Sequence, residues 1–448
     1  MLVFLVVASG CRAEALKVAA IPADLKDYVE RSEPESKWEL VSKSSLGVCD
    51  FWHIKLKSQV WQGIAWEHDL LIFVPQGITH GDKMLLINNG GKFDPKKMDR
   101  AMLGVMLAQR VKAPVAVLLG IPNQPLFNNL REDHLIAETF VRYLDTGDST
   151  WPLLFPMVKS VVKSMDALQE FSRQTWQKPV EKFVITGASK RGWTTWLTAA
   201  VDERVMAIAP MVIDVVNISE QLPHQTEAFG KPSEQIHPYT ARGLVPLPDT
   251  ERARRLWTMV DPWTYRSAFT MPKMIVLGNN DRYWTTDALN LYWDGLPGEK
   301  YISYTPNAGH NLTEIGPDGK KGSPMRSVDN VAAFVRQQFQ QKPLPKLTWQ
   351  HDDTADGQLQ LTVSSDVKPK KANLWYATAD SRDFRDARWQ SRPVEMGDGG
   401  RIHLTHPYPE TGYVAYYVDL GYDVDEITLW LCTQLRIASR QSQASSGL

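Results

Sequence analysis

The ten residues from Phe183 to Gly192 constrain the fold of this chain more than any other stretch. They read Phe-Val-Ile-Thr-Gly-Ala-Ser-Lys-Arg-Gly, so a run that favours a buried strand ends in a Gly-Ala-Ser turn. After the turn, apolar residues such as Trp193 and Trp196 recur at helical spacing. A serine between a strand and a helix, with glycine two places before it, is the layout of a nucleophile elbow, whose tight turn holds the hydroxyl clear of the sheet. The pattern predicts Ser189 as a nucleophile, and an ordinary strand-to-helix turn is the alternative.

Two later strand ends offer the partners that a serine nucleophile needs. Residues 271–281 form an apolar run that ends in Gly-Asn-Asn-Asp at Asp281, and residues 300–310 form the next run, which ends at His310. An imidazole activates the serine by taking its proton, and a carboxylate fixes the tautomer of the imidazole. The order Ser, Asp, His is the order of α/β-hydrolase triads. Asp281 and His310 taken singly also fit surface loops, and Asp214, which ends another apolar run, is an alternative acid.

A glycine pair upstream is a candidate for the oxyanion hole. Residues 84–87 form a short apolar run that leads into Asn-Asn-Gly-Gly. In an α/β-hydrolase the loop at this place gives one backbone N–H to the oxyanion, and the residue after the nucleophile gives the other. We therefore expect Gly90 or Gly91, together with Lys190, to hold the oxyanion. A plain Gly-Gly turn is the alternative.

The elbow departs from the common Gly-x-Ser-x-Gly pattern, because Arg191 stands where the second glycine is usual and Gly192 follows it. A large side chain there predicts a wider turn. Alternatively, Arg191 or Lys190 lines the site and binds an acidic group of the substrate, or both face solvent in the first helical turn. Trp193 and Trp284 lie close in sequence to the site and are candidates for an aromatic-lined substrate pocket, with core packing as the alternative.

These motifs resemble those of the PhoPQ-activated pathogenicity-related protein family of Gram-negative bacteria, a branch of the α/β-hydrolase superfamily. The resemblance spans about residues 30–435. Its most specific part is Gly-Ala-Ser-Lys-Arg-Gly-Trp over 187–193, and Asn-Gly-Gly over 89–91, Gly-Asn-Asn-Asp over 278–281 and Gly-His over 309–310 also carry it. It implies an α/β-hydrolase fold and a secreted or envelope location, and it leaves the substrate open. The Gly-x-x-Asp and Gly-His pieces also resemble prolyl-oligopeptidase-type catalytic domains, and Ser-Lys-Arg-Gly resembles the elbow of glucuronoyl esterases.

The order of elements predicts two folded domains in the 448 residues. Residues 16–341 are expected to form an α/β-hydrolase domain. Strands over 38–75 are interpreted as antiparallel strands that open the sheet, and from residue 84 strands and helices alternate, which predicts a mostly parallel, doubly wound sheet with ligands at the carboxyl ends of its strands. Within this part, 216–262 is too long for a simple connection and is interpreted as a helical cap over the site, or else as an excursion without substrate contact. After a Pro-rich break, short strands over 342–438 predict an immunoglobulin- or fibronectin-like β-sandwich. The polar tail over 439–448 is expected to be disordered.

The amino-terminal residues predict export. The first ten are apolar and too few to span a bilayer, so 1–15 resembles a secretory signal. Ala-Ser-Gly-Cys, ending at Cys11, resembles a bacterial lipobox, and ordinary cleavage is the alternative. We therefore expect a periplasmic protein, or one anchored to the outer membrane through a lipid on Cys11. In that compartment Cys49 and Cys432 either pair or remain buried thiols.

Composition narrows the classes of function. The net charge is −1 and no long basic block occurs, which argues against a nucleic-acid partner. We find no P-loop, no His-Glu-x-x-His and no zinc pattern, so no cofactor or metal is expected. The leading hypothesis is a secreted serine hydrolase that cleaves an ester or amide bond of a small-molecule or peptide substrate. The alternative is a non-catalytic binding or signalling protein on the same scaffold, linked to envelope stress or virulence. The oligomeric state stays open.

Overall fold

A nine-stranded sheet forms the centre of the larger domain. The computed structural model describes residues 21–440 apart from 79, 97, 98 and 177. The strands of the sheet are β1 (Lys37–Ser45), β2 (Cys49–Trp61), β3 (Ile64–Pro75), β4 (Lys83–Asn88), β5 (Val115–Leu118), β6 (Lys182–Ala188), β7 (Val205–Met211), β8 (Lys273–Gly278) and β9 (Lys300–Thr305). Their spatial order is β1-β2-β3-β5-β4-β6-β7-β8-β9. The pairs from β1 to β5 are antiparallel, and all pairs from β5 to β9 are parallel.

Helices cover both faces of this sheet, as continuous apolar parallel strands require. They are α1 (Asp24–Glu30), α2 (Asp99–Val111), α3 (Glu132–Thr146), α4 (Leu154–Trp176), α5 (Lys190–Val201), α6 (Ile218–Phe229), α7 (His237–Thr240), α8 (Glu251–Val260) and α9 (Met325–Gln340), with short 3-10 helices over Glu234–Ile236, Pro262–Ala268, Ala288–Leu291 and Asp398–Gly400. Neighbouring strand residues point to opposite faces. Ile185 belongs to the apolar cluster that contains α4 and α5, whereas Val184 belongs to the cluster that contains α2 and α9. The predicted α/β-hydrolase fold is confirmed.

The carboxyl-terminal domain is an antiparallel β-sandwich, also as predicted. One sheet contains β10 (Leu347–Asp353), β11 (Leu359–Ser365) and β14 (Ile402–His406), and the other contains β12 (Lys371–Ala379), β13 (Gln390–Pro393), β15 (Tyr413–Val424), β16 (Ile427–Cys432) and β17 (Arg436–Ala438). Buried and partly exposed residues alternate along β11. Its inward residue Leu361 shares an apolar core with Leu374 and Val418 of the second sheet.

The two described cysteines do not pair. Cys49 and Cys432 are both free and buried, and the Cys432 sulfur accepts the backbone N–H of Tyr304 at 3.3 Å. Burial raises the pKa of the Cys49 thiol to about 11 and that of Cys432 to about 12. Both are therefore buried thiols, the second of the two possibilities that the sequence left open.

Several terminal predictions fall outside the described residues. The export segment over 1–15, including Cys11, and residues 441–448 of the tail belong to this group. Ser439, which we expected to open the disordered tail, is instead buried. Within the described part of the chain, no helix combines the length and the apolar character needed to cross a bilayer.

Candidate active site

Ser189 occupies a strained turn between β6 and α5. Its backbone dihedrals are φ 59° and ψ −131°, a combination that residues with a side chain rarely adopt. The turn is held on both sides. The Ser189 N–H donates to the carbonyl of Met211 at 2.9 Å, and the Ser189 carbonyl accepts the N–H of Trp193 at 3.0 Å, which starts the helix. The strain is therefore held by the neighbouring strand and by the helix that follows.

Two glycines make this turn possible. A Cβ atom at Gly187 would lie 2.6 Å from the side-chain nitrogen of Asn88 and 2.8 Å from the carbonyl oxygen of Arg191. A Cβ atom at Gly192 would lie 2.6 Å from a methyl carbon of Ile213. Both contacts are closer than van der Waals packing allows. The second glycine of the elbow therefore stands one place later than usual because position 192, rather than 191, packs against the end of β7.

His310 and Asp281 form a hydrogen-bonded pair at the carboxyl ends of β9 and β8. The His310 Nδ1 lies 2.8 Å from one carboxylate oxygen of Asp281, and the other oxygen accepts the N–H of Tyr283 at 2.9 Å. The Tyr283 ring stacks obliquely on the imidazole, with ring centroids 4.2 Å apart. Only 8% of the Asp281 side chain is exposed, against 29% of His310. Because Nδ1 is held by the carboxylate, Nε2 is the imidazole nitrogen left for a proton transfer.

Asp214, the alternative acid, has a different partner. Its carboxylate accepts the hydroxyl of Tyr292 at 2.5 Å. The side chain is buried, and burial raises the pKa of Asp214 to about 7, with the charges of Asp281 and Asp287 adding to the effect. The structure thus pairs the imidazole of His310 with Asp281 and not with Asp214.

Ser189 and His310 line one cavity of about 50 Å³. Trp193 and Trp284 line it too, and both are buried. The Trp193 indole donates to the carbonyl of Val260 at 2.6 Å, which fixes its orientation. Among the hydrogen bonds of the described residues, none joins the Ser189 hydroxyl directly to His310. Such bonds are often long before a substrate is bound.

The 216–262 segment forms part of the wall of this cavity. It contains α6, a 3-10 turn, α7 and α8. Its contribution to the lining is almost entirely apolar and consists of Ile218, Leu222, Ile236, Tyr239, Val245 and Trp257. We call this segment the cap. It lines the cavity, and its role as a cap that contacts substrate stays a prediction.

The two cations after Ser189 are paired inside the protein. Arg191 donates to both carboxylate oxygens of Glu132, at 2.7 and 2.8 Å, and to the carbonyl of Ile121 at 2.5 Å. Lys190 Nζ lies 3.0 Å from Glu132 and 3.2 Å from Asp133. The Lys190 and Arg191 side chains are only 7% and 11% exposed, so a solvent-facing first turn is wrong. Arg191, expected as a substrate-binding residue, is instead bound by Glu132.

These pairs determine the charge of Glu132. Burial alone would raise the pKa of this carboxyl group. The hydrogen bonds and charge of Arg191, together with the charge of Lys190, outweigh burial and lower the pKa to about 2. Glu132 is therefore ionised throughout the physiological range, and the two cations keep their partner.

The candidate oxyanion donors are placed differently from one another. The Gly90 N–H donates to the side-chain oxygen of Asn89 at 2.8 Å, so it is already engaged. The described lining of the cavity includes neither Gly90 nor Gly91, and Gly91 lines a separate polar groove. Lys190 lines the cavity and is the first residue of α5. Because the first N–H groups of a helix have no partner within the helix, the Lys190 N–H is the better placed donor.

A loop of the β-sandwich reaches the acid of the pair. The Asn280 side-chain nitrogen donates to the carbonyls of Phe384, Arg385 and Ala387 at 3.1, 3.3 and 2.8 Å. These three residues belong to the connection between β12 and β13, which we call the 380–389 loop. Asn280 directly precedes Asp281, so the β-sandwich holds the strand end that carries this carboxylate.

The same loop also contacts the cap. Arg385 donates to Glu234 at 2.8 Å, and its guanidinium lies 3.9 Å from the centre of the Phe229 ring. Arg382 donates to Asp287 at 3.0 Å. The cap, the turn after β8 and the β-sandwich therefore meet at one place. In the sequence, Asn280 stands out only as part of the Gly-Asn-Asn-Asp motif. No sequence pattern marks the 380–389 loop or Glu132 as partners of the site.

In the described parts of the chain, no group of three or more His, Cys, Asp or Glu side chains could hold a metal ion.

Comparison with known proteins gives the family. The sequence model of the PhoPQ-activated pathogenicity-related proteins matches residues 25–385. Autocrine proliferation repressor protein A of Dictyostelium discoideum is 30% identical in an alignment that covers 91% of this chain and 87% of the relative. Acetyl xylan esterase 1 from Thermoanaerobacterium has a TM-score of 0.48 at 14% identity, over 71% of this chain and 94% of the esterase. An S-formylglutathione hydrolase from Agrobacterium tumefaciens has a TM-score of 0.45 at 12% identity, over 68% of this chain and 100% of the hydrolase. From the match to the family and the relative at 30% identity, the chain belongs to the PhoPQ-activated pathogenicity-related protein family.

Proposed function

We propose that this protein is a serine hydrolase that cleaves an ester or amide bond. The observation that carries the proposal is the His310–Asp281 pair, 2.8 Å apart, whose imidazole lines the same cavity as a serine in a strained elbow. The proposal also includes export of the protein, which the apolar amino-terminal residues support. Trp193 and Trp284 are proposed to contact substrate; Arg191, Gly90 and Gly91 have no part in the proposal.

The proposed reaction has two steps. The Ser189 hydroxyl attacks the carbonyl carbon while His310 Nε2 takes its proton, and Asp281 stabilises the resulting imidazolium. The oxyanion that forms accepts the backbone N–H of Lys190. His310 then gives the proton to the leaving alcohol or amine, and an acyl-enzyme remains. Water attacks this acyl-enzyme with His310 again as the base, which releases the acid and restores Ser189.

Covalent labelling with a fluorophosphonate probe tests the proposal. The wild type should label at one residue, and Ser189→Ala should not label. Asp281→Asn should slow the reaction by about 10⁴-fold, because the imidazole is then held in the wrong tautomer. Asp214→Asn is the matched control at a second buried carboxylate and should label close to the wild-type rate. Labelling that survives Ser189→Ala, or equal losses in the two Asp→Asn variants, would count against these roles.

A second candidate is a non-catalytic signalling or binding protein on the same scaffold, with a link to envelope stress or virulence. One observation favours it: the Dictyostelium relative at 30% identity carries the name of a proliferation repressor. The same probe separates the two candidates. A folded wild type that fails to label, and whose biological effect survives Ser189→Ala, would favour the second.

A further inference from the structure

The cavity beside Ser189 is bounded mainly by hydrocarbon. Six of its lining residues come from α5, the segment after β7, the cap and the turn after β8, and all six are buried: Trp193, Ile213, Leu222, Ile236, Trp257 and Trp284. An apolar wall of this kind stabilises a hydrocarbon group and penalises a charged one, which would lose its hydration without gaining a partner. The walls thus favour an apolar substrate group next to the nucleophile.

The charged groups at the cavity do not change this conclusion. Lys190 and Asp133 also line it, but Lys190 Nζ is held by Glu132 at 3.0 Å and by Asp133 at 3.2 Å. Asp133 accepts a further hydrogen bond from the Tyr239 hydroxyl at 3.1 Å. Within the described lining, the Lys190 ammonium and the Asp133 carboxylate are therefore already paired, so a charged substrate group would have to displace one of these partners.

The size of the cavity sets a limit on the bound group. Its volume is about 50 Å³. Because one water-sized group needs roughly 10–15 Å³ of such volume, the cavity holds about four groups of that size. A short acyl chain fits this space, whereas a long chain would require the cap to move.

We infer that this cavity is the acyl pocket and takes a short, uncharged, apolar acyl group of an ester or amide. The inference rests on the proposed function, since an acyl pocket requires an acyl-enzyme at Ser189. It narrows the substrate class to compounds whose acyl half is of acetyl to butyryl size, and it excludes dicarboxylic half-esters and long-chain lipids.

The test uses p-nitrophenyl acetate, butyrate, octanoate and hemisuccinate with the full chain. We expect kcat/KM for butyrate to exceed that for octanoate at least about 10-fold, because the eight-carbon chain is longer than a cavity of about 50 Å³ accommodates. Hemisuccinate matches butyrate in length but carries a carboxylate, and it should also be at least about 10-fold poorer.

Two leucine variants of the cap test the location of the pocket. Leu222 lines the cavity, whereas Leu256 is buried in the cap helix α8 and is not among the lining residues. Leu222→Ala enlarges the cavity and should raise the octanoate-to-butyrate ratio of kcat/KM at least about threefold. Leu256→Ala removes the same number of atoms from the cap and should leave that ratio unchanged.

The possible failures are distinguishable. A folded protein without Ser189-dependent labelling by the fluorophosphonate probe refutes the proposed function, and the inference falls with it. If Ser189 labels but none of the short esters is hydrolysed, the inference alone is wrong. The same holds if octanoate or hemisuccinate is used as well as butyrate, or if both leucine variants change the chain-length ratio equally.

Discussion

Replacing Asn280 by alanine should slow the proposed hydrolysis about 10- to 30-fold while the protein stays folded. The Asn280 side chain directly links the 380–389 loop to the strand end that carries Asp281, through three carbonyl contacts of 2.8 to 3.3 Å. Without it, Asp281 loses part of the support that keeps its carboxylate 2.8 Å from His310. The loss should appear in kcat more than in KM, because Asn280 is not among the lining residues of the cavity.

The magnitude follows from the hydrogen bonds. The amide nitrogen of Asn280 has two hydrogens, so the three carbonyl contacts amount to about two full bonds, each worth about 1 kcal/mol net. A loss of about 2 kcal/mol in the preference for the docked arrangement corresponds to a factor of about 30. The backbone contact of Asn280 with Ala308, at 2.9 Å, remains and holds the turn in part. A factor of about 30 is therefore the upper bound.

A second substitution at the same position separates hydrogen bonding from simple loss of atoms. In Asn280→Asp an ionised carboxylate, which only accepts hydrogen bonds, would face three carbonyl oxygens. This variant should be slower than Asn280→Ala at pH 8. The difference should shrink as the pH falls, because the protonated acid can donate one hydrogen bond.

The assay is kcat and KM with a short p-nitrophenyl ester, together with circular dichroism to verify folding. Asn290→Ala is the matched control, because Asn290 also donates an amide hydrogen to a carbonyl of the β-sandwich, that of Leu435 at 2.8 Å. It should change kcat less than about twofold. The reasoning is refuted if Asn280→Ala retains wild-type kcat, if Asn280→Asp is the faster of the two variants, or if the control loses as much.

Three further predictions concern stability. Ser189→Gly should be more stable than Ser189→Ala by about 1–3 kcal/mol, because only glycine relieves the backbone strain at 189; equal urea midpoints would contradict this. Glu132→Gln should lower the free energy of unfolding by about 1–2 kcal/mol at pH 7, because it removes the negative charge that pairs with the buried Arg191 guanidinium. The loss is modest because the Glu132 side chain is itself partly exposed. Because the folded pKa of Glu132 is about 2 and its ordinary value 4.5, this loss should fade as the pH falls between these values, and a pH-independent loss would contradict it. Asp214→Asn keeps an acceptor for Tyr292. The folded pKa of Asp214 is about 7 and its ordinary value 3.8, so the wild type should lose stability relative to the variant as the pH rises between them. Parallel curves of melting temperature against pH for the two proteins would contradict this.

Local patterns predicted the framework of the candidate site. The run before Ser189 is strand β6, and the runs before Asp281 and His310 contain β8 and β9. Each prediction needed only an apolar run and the turn chemistry at its end, which are properties of neighbouring residues. Parallel strands present their carboxyl ends at the same edge of a sheet, so once the fold was known, the approach of the three residues followed.

Contacts between distant segments were not predictable in this way. The Arg191–Glu132 pair joins positions 59 apart, and the contacts of Asn280 with the 380–389 loop span 104 to 107 positions. Neither leaves a periodic or turn signal. The oxyanion role of Gly90 stays a prediction. The structure adds a local contact that the motif did not indicate, because the side chain of Asn89 accepts the Gly90 N–H, a competition that Asn commonly introduces.

The paired charges explain why this elbow tolerates Lys190 and Arg191 at all. Two cations at the start of α5 oppose the helix dipole and would be costly in a buried turn if they were alone. Glu132 and Asp133 supply two negative charges from the first turn of α3, so the four side chains sum to zero. Since these charges cancel, the Lys190 and Arg191 side chains hold no free positive charge for an acidic substrate group. In the proposed reaction the elbow then offers a substrate the Ser189 hydroxyl, the Lys190 N–H and an apolar wall, so the charge pairing supports the proposed preference for uncharged acyl groups.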